Sequence, residues 1–315
     1  MSRFVAIELD RLPPPDAVQV PDFEALLALR KADIMARVRA RTDDAELLAD
    51  LEAVLYRSEL EPLVVDQEVS AEREVIVHER INDAVRAVLL PTSQGADLDN
   101  ICSRLGVERM RLAADPAASP PTAEIVEDDA RLKRRYQLAL EAFSTCGPYG
   151  AYLFHAMTAS LDVLDCGVYG PEEDFVDLGH VHLYVLSRTG DGAAPPALVA
   201  AVLDACSADD RRPLADFVHA YPATIADYVI AAHLVIRRGA DASLVVDEAR
   251  RELESYAAET HRVGSIVALS GLYDAAHSPN TIKVTISSPA AEIDPGPQGA
   301  PYCTGITITH EVIDG

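Results

Sequence analysis

Apolar positions at three- and four-residue steps dominate the first hundred residues. After Pro21-Asp22, the residues Phe23, Leu26, Leu27, Ile34 and Val38 fall on one helical face. Arg41-Thr42-Asp43-Asp44 breaks that run before a second helix that ends near Tyr56. A third stretch, Glu61-Pro62 to Leu90, meets no Gly or Pro until Pro91, and Pro62 suits a first helical turn. It predicts a helix of about 28 residues, roughly 42 Å long at 1.5 Å per residue. Its apolar residues Val64, Ala71, Val75, Ile81, Val85, Val88 and Leu89 alternate with charged ones such as Glu72, Arg73, Glu79 and Arg80. Such a helix either faces the core of its own domain or joins a bundle with helices of other chains. A length well above the usual 11–12 residues (about three turns) keeps the second reading open, and these seven residues are the candidate interface.

A short helix follows from Gly95 to Leu105, with Gly106 as its stop. Ala113 to Thr122, which holds Pro116, Pro120 and Pro121, reads as an exposed linker and as a hinge. Helices are predicted from Asp128 or Asp129 to Phe143 and from Tyr149 to Ala159. The pattern then turns mixed: strands at 161–169 and 179–187, a helix at 196–206, and long strands within 216–237. Helices at 243–260 and 270–277 and strands at 281–287 and 303–312 complete it. The fold class is therefore α+β, with an N-terminal helical region carrying the long bundle-forming helix. The expected division is an extended arm over 1–20, a helical region over 21–112, a linker over 113–122, and α+β regions over 123–237 and 238–315. Gly150-Ala151-Tyr152…Phe154-His155-Ala156 and Ser270-Gly271-Leu272-Tyr273…Ala276-His277 each precede a strand and a Pro turn, which suggests an internal duplication of a small α+β unit.

Charge narrows the partners. The 315 residues carry 27 Lys+Arg against 51 Asp+Glu, a net charge of −24. That excludes a main role in gripping nucleic acid and disfavours an anionic membrane surface. Hydrophobic residues at 49% suffice for a packed core. No signal peptide or membrane span is predicted, since the most apolar window, Phe217–Ile236, contains His219, Pro222, Asp227 and His233. The five cysteines, Cys102, Cys146, Cys166, Cys206 and Cys303, are scattered and read as reduced core residues.

Chemistry is scarce. The sequence has no phosphate loop of the GxxxxGK[ST] or GxGxxG type and no GxSxG elbow. His180 and His182 share a strand face, and with Asp177 they define the competing reading, a metal-dependent hydrolase; HExxH is absent. Glu172-Glu173-Asp174 and Asp209-Asp210 sit in solvated loops, where catalytic carboxylates would not separate in pKa. No catalytic, cofactor or metal residue is assigned, which leaves an architectural protein. A third reading, a receptor-binding module, fits poorly with a helical start.

An ordered set of stretches resembles the baseplate J-like family of contractile-tailed bacteriophages. The set includes Leu9-Asp10-Arg11-Leu12-Pro13-Pro14-Pro15-Asp16, Glu59-Leu60-Glu61-Pro62-Leu63, Glu79-Arg80-Ile81-Asn82-Asp83-Ala84, Gly95-Ala96-Asp97-Leu98, Asp210-Arg211-Arg212-Pro213-Leu214, His261-Arg262-Val263-Gly264 and Tyr302-Cys303-Thr304-Gly305. Two places depart from it: Pro171 to Asp177 is longer than expected, and Pro91-Thr92-Ser93 is less hydrophobic. The resemblance implies a non-enzymatic wedge component of the virion baseplate, assembled in the host cytoplasm. Its implied partners are a second copy of itself, a second wedge protein, a lysozyme-like sheath-initiating protein and the central hub or spike, in phage tails or related injection systems.

Overall fold

Asp22 starts the first helix, α1 (Phe23–Arg39), with its carboxylate accepting the Ala25 N–H at 2.9 Å. Asp44 does the same for α2 (Ala45–Arg57), accepting from Glu46 and Leu47. Pro62 opens α3 (Pro62–Ala87), where its missing N–H costs nothing in the first turn. These belong to one compact unit, residues 7–104, of the computed structural model, which describes residues 7, 9–114, 123–144, 146–239 and 241–313. Leu26 and Leu27 of α1 pack on Ala71 of α3, with Phe23 and Val75 alongside. The short helix α4 (Gly95–Cys102) buries Leu98, Ile101 and Cys102.

The second unit begins at Leu105. Strands β1 (Arg111–Leu112) and β2 (Ile125–Val126) pair antiparallel, Arg111 with Val126 and Leu112 with Ile125. Most of the proline-rich segment over 113–122, read as a linker, lies outside the described residues. Two-residue strands have no periodicity to betray them in sequence.

Helix α5 (Asp129–Ala142), capped by Asp128, and α6 (Tyr149–Ala159) precede β3 (Val163–Tyr169) and β4 (His180–Ser187). Helix α7 (Pro196–Ser207) crosses over to β5 (Phe217–Pro222), giving a sheet ordered β3-β4-β5 with β5 parallel to β4. Leu153, Ala156 and Met157 of α6 and Leu198 and Val202 of α7 cover one face, above Cys166, Val181, Leu183 and Val185. Only Ala223 separates β5 from β6 (Thr224–Arg237), and its N–H donates to the Val185 carbonyl at 2.9 Å. One extended run thus leaves one sheet and becomes the centre of the next.

That second sheet is ordered β7-β6-β8, with β7 (Thr281–Ser288) antiparallel and β8 (Gly299–Ile313) parallel to β6. Helices α8 (Ala242–Thr260) and α9 (Leu269–Ala276) cover it through Val245, Ala249, Leu253, Leu272 and Ala276. Both sheets have a central strand with one antiparallel and one parallel neighbour. In the first the antiparallel strand precedes the centre in the chain; in the second it follows. The repeated helix–strand–turn–strand order therefore leads to different neighbours, because β6 lies between β7 and β8.

Candidate assembly surfaces

At 100° per residue, α3 carries three apolar stripes. Val64, Ala71, Val75 and Asn82 make the first, and Val64 and Ala71 are fully covered by the helix's own unit. Val65, Val69 and Ile76 lie about 100–140° round from it. Leu63, Val77, Ile81 and Val88 lie about 100–140° in the other sense. The side chains of these two stripes remain 38–63% exposed. Of the seven sequence candidates, Val64 and Ala71 are buried within the chain and Val75 packs beside them, Val85 and Leu89 are half-buried, and Ile81 and Val88 are open. Leu63, Val65, Val69, Ile76 and Val77 were missed. An i, i+4, i+11 spacing at a second helical phase marks the set Val65, Val69 and Ile76 in the sequence.

The first stripe ends on a polar clasp. Asn82, 3% exposed, accepts the N–H groups of Ala17 and Val18 and donates to the Val18 carbonyl at 2.9 Å. Arg86 pairs with Asp16 at 2.5 Å. The proline-rich arm is thereby laid along α3 of its own chain. Arg30 of α1 pairs with Glu74 of α3.

A buried charge cluster fixes the start of the second unit. The Glu127 carboxylate, with no exposed surface, meets Arg135 at 2.7 Å and Arg131 at 3.2 Å, and accepts the Met110 N–H at 3.0 Å. Arg131 also donates to the carbonyls of Val163, Met157 and Ser160, which ties α5 to the end of α6 and the start of β3. Burial pulls the Arg131 guanidinium down to about 10, against the opposing pull of Glu127. The arginine stays charged at neutral pH.

The β3-β4-β5 and β7-β6-β8 sheets meet at a second cluster. Tyr169, Tyr184, Leu186, Ala223 and Ala300 form its buried core, with Phe175 and Val263 against it. The Tyr169 hydroxyl donates to the Pro297 carbonyl, and Asp165 takes Arg134 at 2.7 Å and the Val263 N–H at 3.2 Å. At Gly192, φ is +98° and a Cβ would meet Leu186 and His261 at under 3 Å, so this turn admits only glycine. Phe175 and Val176 anchor the long 171–177 loop in the same cluster. That leaves Glu172 and Glu173 on the wall of a cavity of about 930 Å³ that Glu141, Tyr152, His180 and Asp216 also line.

His180 and His182 do stand on one face of β4, yet no group of three His, Cys, Asp or Glu among the described residues is arranged to hold a metal ion. Burial pushes the Cys206 thiol up to about 12 and that of Cys166 well up, which disfavours the nucleophilic thiolate at both. No helix among the described residues is long and apolar enough to cross a membrane.

Residues 59–116 match the baseplate J-like N-terminal domain, and residues 144–222 match the baseplate J-like central domain. Baseplate protein J of Escherichia phage P2 is 36% identical over 299 residues, covering 95% of each chain. The chain belongs to the baseplate J-like family. The N-terminal match begins before α3 and runs through β1, so it contains the helix with the open stripes. The central match spans α6 to β5, the sheet with its two covering helices.

Proposed function

We propose that this chain is a structural component of the baseplate of a contractile phage tail, and that it works by assembly rather than by catalysis. The observation that carries the reading is α3, a 26-residue helix with two apolar stripes left open on either side of the stripe its own unit covers. Covering the exposed half of a Val, Leu or Ile gains about 1 kcal/mol, so seven such residues supply on the order of 7 kcal/mol from this chain. Association costs roughly 4–15 kcal/mol, so one stripe alone falls short and both together reach that range. The helix is therefore suited to a bundle with two further helices, one from a second copy and one from a second wedge protein.

In the same reading the second unit links wedges to one another around the hub, and a lysozyme-like sheath-initiating protein docks on the wedge. Assembly takes place in the host cytoplasm and the product resides in the virion. The long β8 edge and the open face of the β7-β6-β8 sheet provide surface for such contacts. The seat of reorientation between two copies moves from the proline-rich segment to the stretch near Arg104–Gly106, where the two units join and Gly106 has φ +69°.

Co-expression of the chain with the remaining tail proteins, followed by light scattering of the purified complex, tests this reading. A complex with two copies of this chain per second wedge protein is expected. A chain that stays monomeric beside its co-expressed neighbours contradicts it.

A further inference from the structure

Alternation along β4 and β5 sends Val181, Leu183, Val185, Val218 and Ala220 toward the covering helices. His180, His182 and Tyr184 on β4, and Phe217, His219 and Tyr221 on β5, therefore occupy the opposite face. The parallel register sets His182 beside His219 and His180 beside Phe217. His180 Nδ1 and His219 Nε2 stand 2.8 Å apart, with the rings 8° from parallel and their centroids 5.0 Å apart. A centroid separation that large, at that N···N distance, describes rings edge to edge in one plane, joined by an in-plane N–H···N bond. One facing nitrogen must carry a proton and the other a lone pair. His182 sits edge-on to His219 at 5.5 Å, and its own Nδ1 is shielded from solvent without a hydrogen-bond partner.

We propose that His180, His182 and His219 form a proton-operated latch, which holds the edge strand β5 on β4 at neutral pH and loosens it in acid. While one proton lies between the paired nitrogens, the bond is intact. When both rings carry two protons, both facing atoms are donors, no acceptor remains between them, and two imidazolium charges confront each other within one ladder step. Imidazoles gain their second proton between about pH 8 and 5, within reach of mild acidification.

The surroundings decide how this cost is met. Tyr169 on β3, Tyr184 on β4 and Tyr221 on β5 flank the rings. Asp177 in the 171–177 loop acts on His182, and Glu141, Glu172, Glu173 and Asp216 line the cavity that His180 also lines. No Lys or Arg lines that cavity among the described residues. Further along the ladder, burial disfavours the charged form of His182, and His219 and His180 add to the effect, with Asp177 opposing them. Because β5 continues through Ala223 into β6, loosening it also loosens the joint between the two sheets.

Amide hydrogen exchange of the full chain at pH 7.5 and pH 5.0, corrected for intrinsic rates, tests the latch. The expected result is at least a tenfold loss of protection in β5 at pH 5.0, larger than any loss in β6 or β7. His219→Gln keeps a hydrogen-bonding group that cannot gain a proton, so its β5 protection should not change with pH. His180→Gln serves the same purpose if the first variant misfolds. Equal β5 protection at both pH values in the unmodified chain overturns the proposal, as does an unchanged acid-induced loss in the folded Gln variant.

Discussion

Asn82 holds Val18 from both sides of its peptide backbone: Oδ1 accepts the Val18 N–H at 3.0 Å, and Nδ2 donates to the Val18 carbonyl at 2.9 Å. One buried amide thus supplies to the arm what a neighbouring strand would supply, and it does so 64 residues away in sequence. Replacing Asn82 by Ala removes both bonds and the one to Ala17. The expected cost is about 1–3 kcal/mol, and exchange protection at Ala17 and Val18 should vanish while α5 to α9 keep theirs. Persistent protection at Val18 would mean that the prolines alone place the arm.

Glu127 pairs with both Arg131 and Arg135 in their buried cluster. Glu127→Gln preserves shape and removes the carboxylate that both guanidinium groups share, leaving Arg131 the weaker effect of Asp128. The expected loss is about 3–5 kcal/mol in urea unfolding of the second unit. A loss under 1 kcal/mol would show that the carbonyls of Val163, Met157 and Ser160 carry Arg131 unaided.

Burial and the nearby Arg211 push His155 down to about 4, against a small opposing effect of Asp210. The unfolded imidazole takes its proton near pH 6.5, while the folded one resists until about pH 4. Stability is thus complete above pH 6.5 and drains away as pH falls toward 4, by on the order of 1–2 kcal/mol at pH 5. Thermal melts of His155→Gln should show a shallower decline over that window. An identical slope in both proteins would remove His155 as the cause.

The long helix was legible in sequence because Pro62, the uninterrupted run and Pro91 mark its ends by local chemistry. Helices α5 to α9 and strands β3 to β8 were equally visible, since each alternates or cycles over at least six residues. Three features were not. The β1–β2 pair joins Arg111 to Val126 across a proline-rich loop, and long-range pairing of such short strands leaves no periodic trace. The clasp at Asn82 looked like one more polar residue on a helix, because a buried amide and an exposed one read alike until the arm is in place. Likewise, nothing in the spacing of His180 and His182 pointed to His219 on the next strand.

Free copies, each carrying a charge of −24, repel one another over about 8 Å at physiological salt. Their contacts rest on apolar stripes, so raising NaCl from 0.1 to 0.5 M should strengthen self-association in sedimentation runs. A sharp weakening with salt would instead identify ion pairs as the main attraction.

Charge placed on the open stripes should separate folding from assembly. Ile81→Asp or Ile76→Asp should leave the helical content and melting of the chain almost unchanged, because these side chains already face water in the free subunit. Val85→Asp at a half-buried position should block assembly with a modest loss of stability. Ala71→Asp, on the covered stripe, should unfold the first unit. Unimpaired particle formation by Ile81→Asp and Ile76→Asp would refute the bundle role of these stripes.

The most direct measurement places the chain within the particle. Purified contractile tails, labelled with gold-conjugated antibody against this protein and imaged by electron microscopy, should carry the label at the baseplate end in several copies per tail. Tails that contain none of the chain, or that carry it along their length, would contradict a structural role in the baseplate.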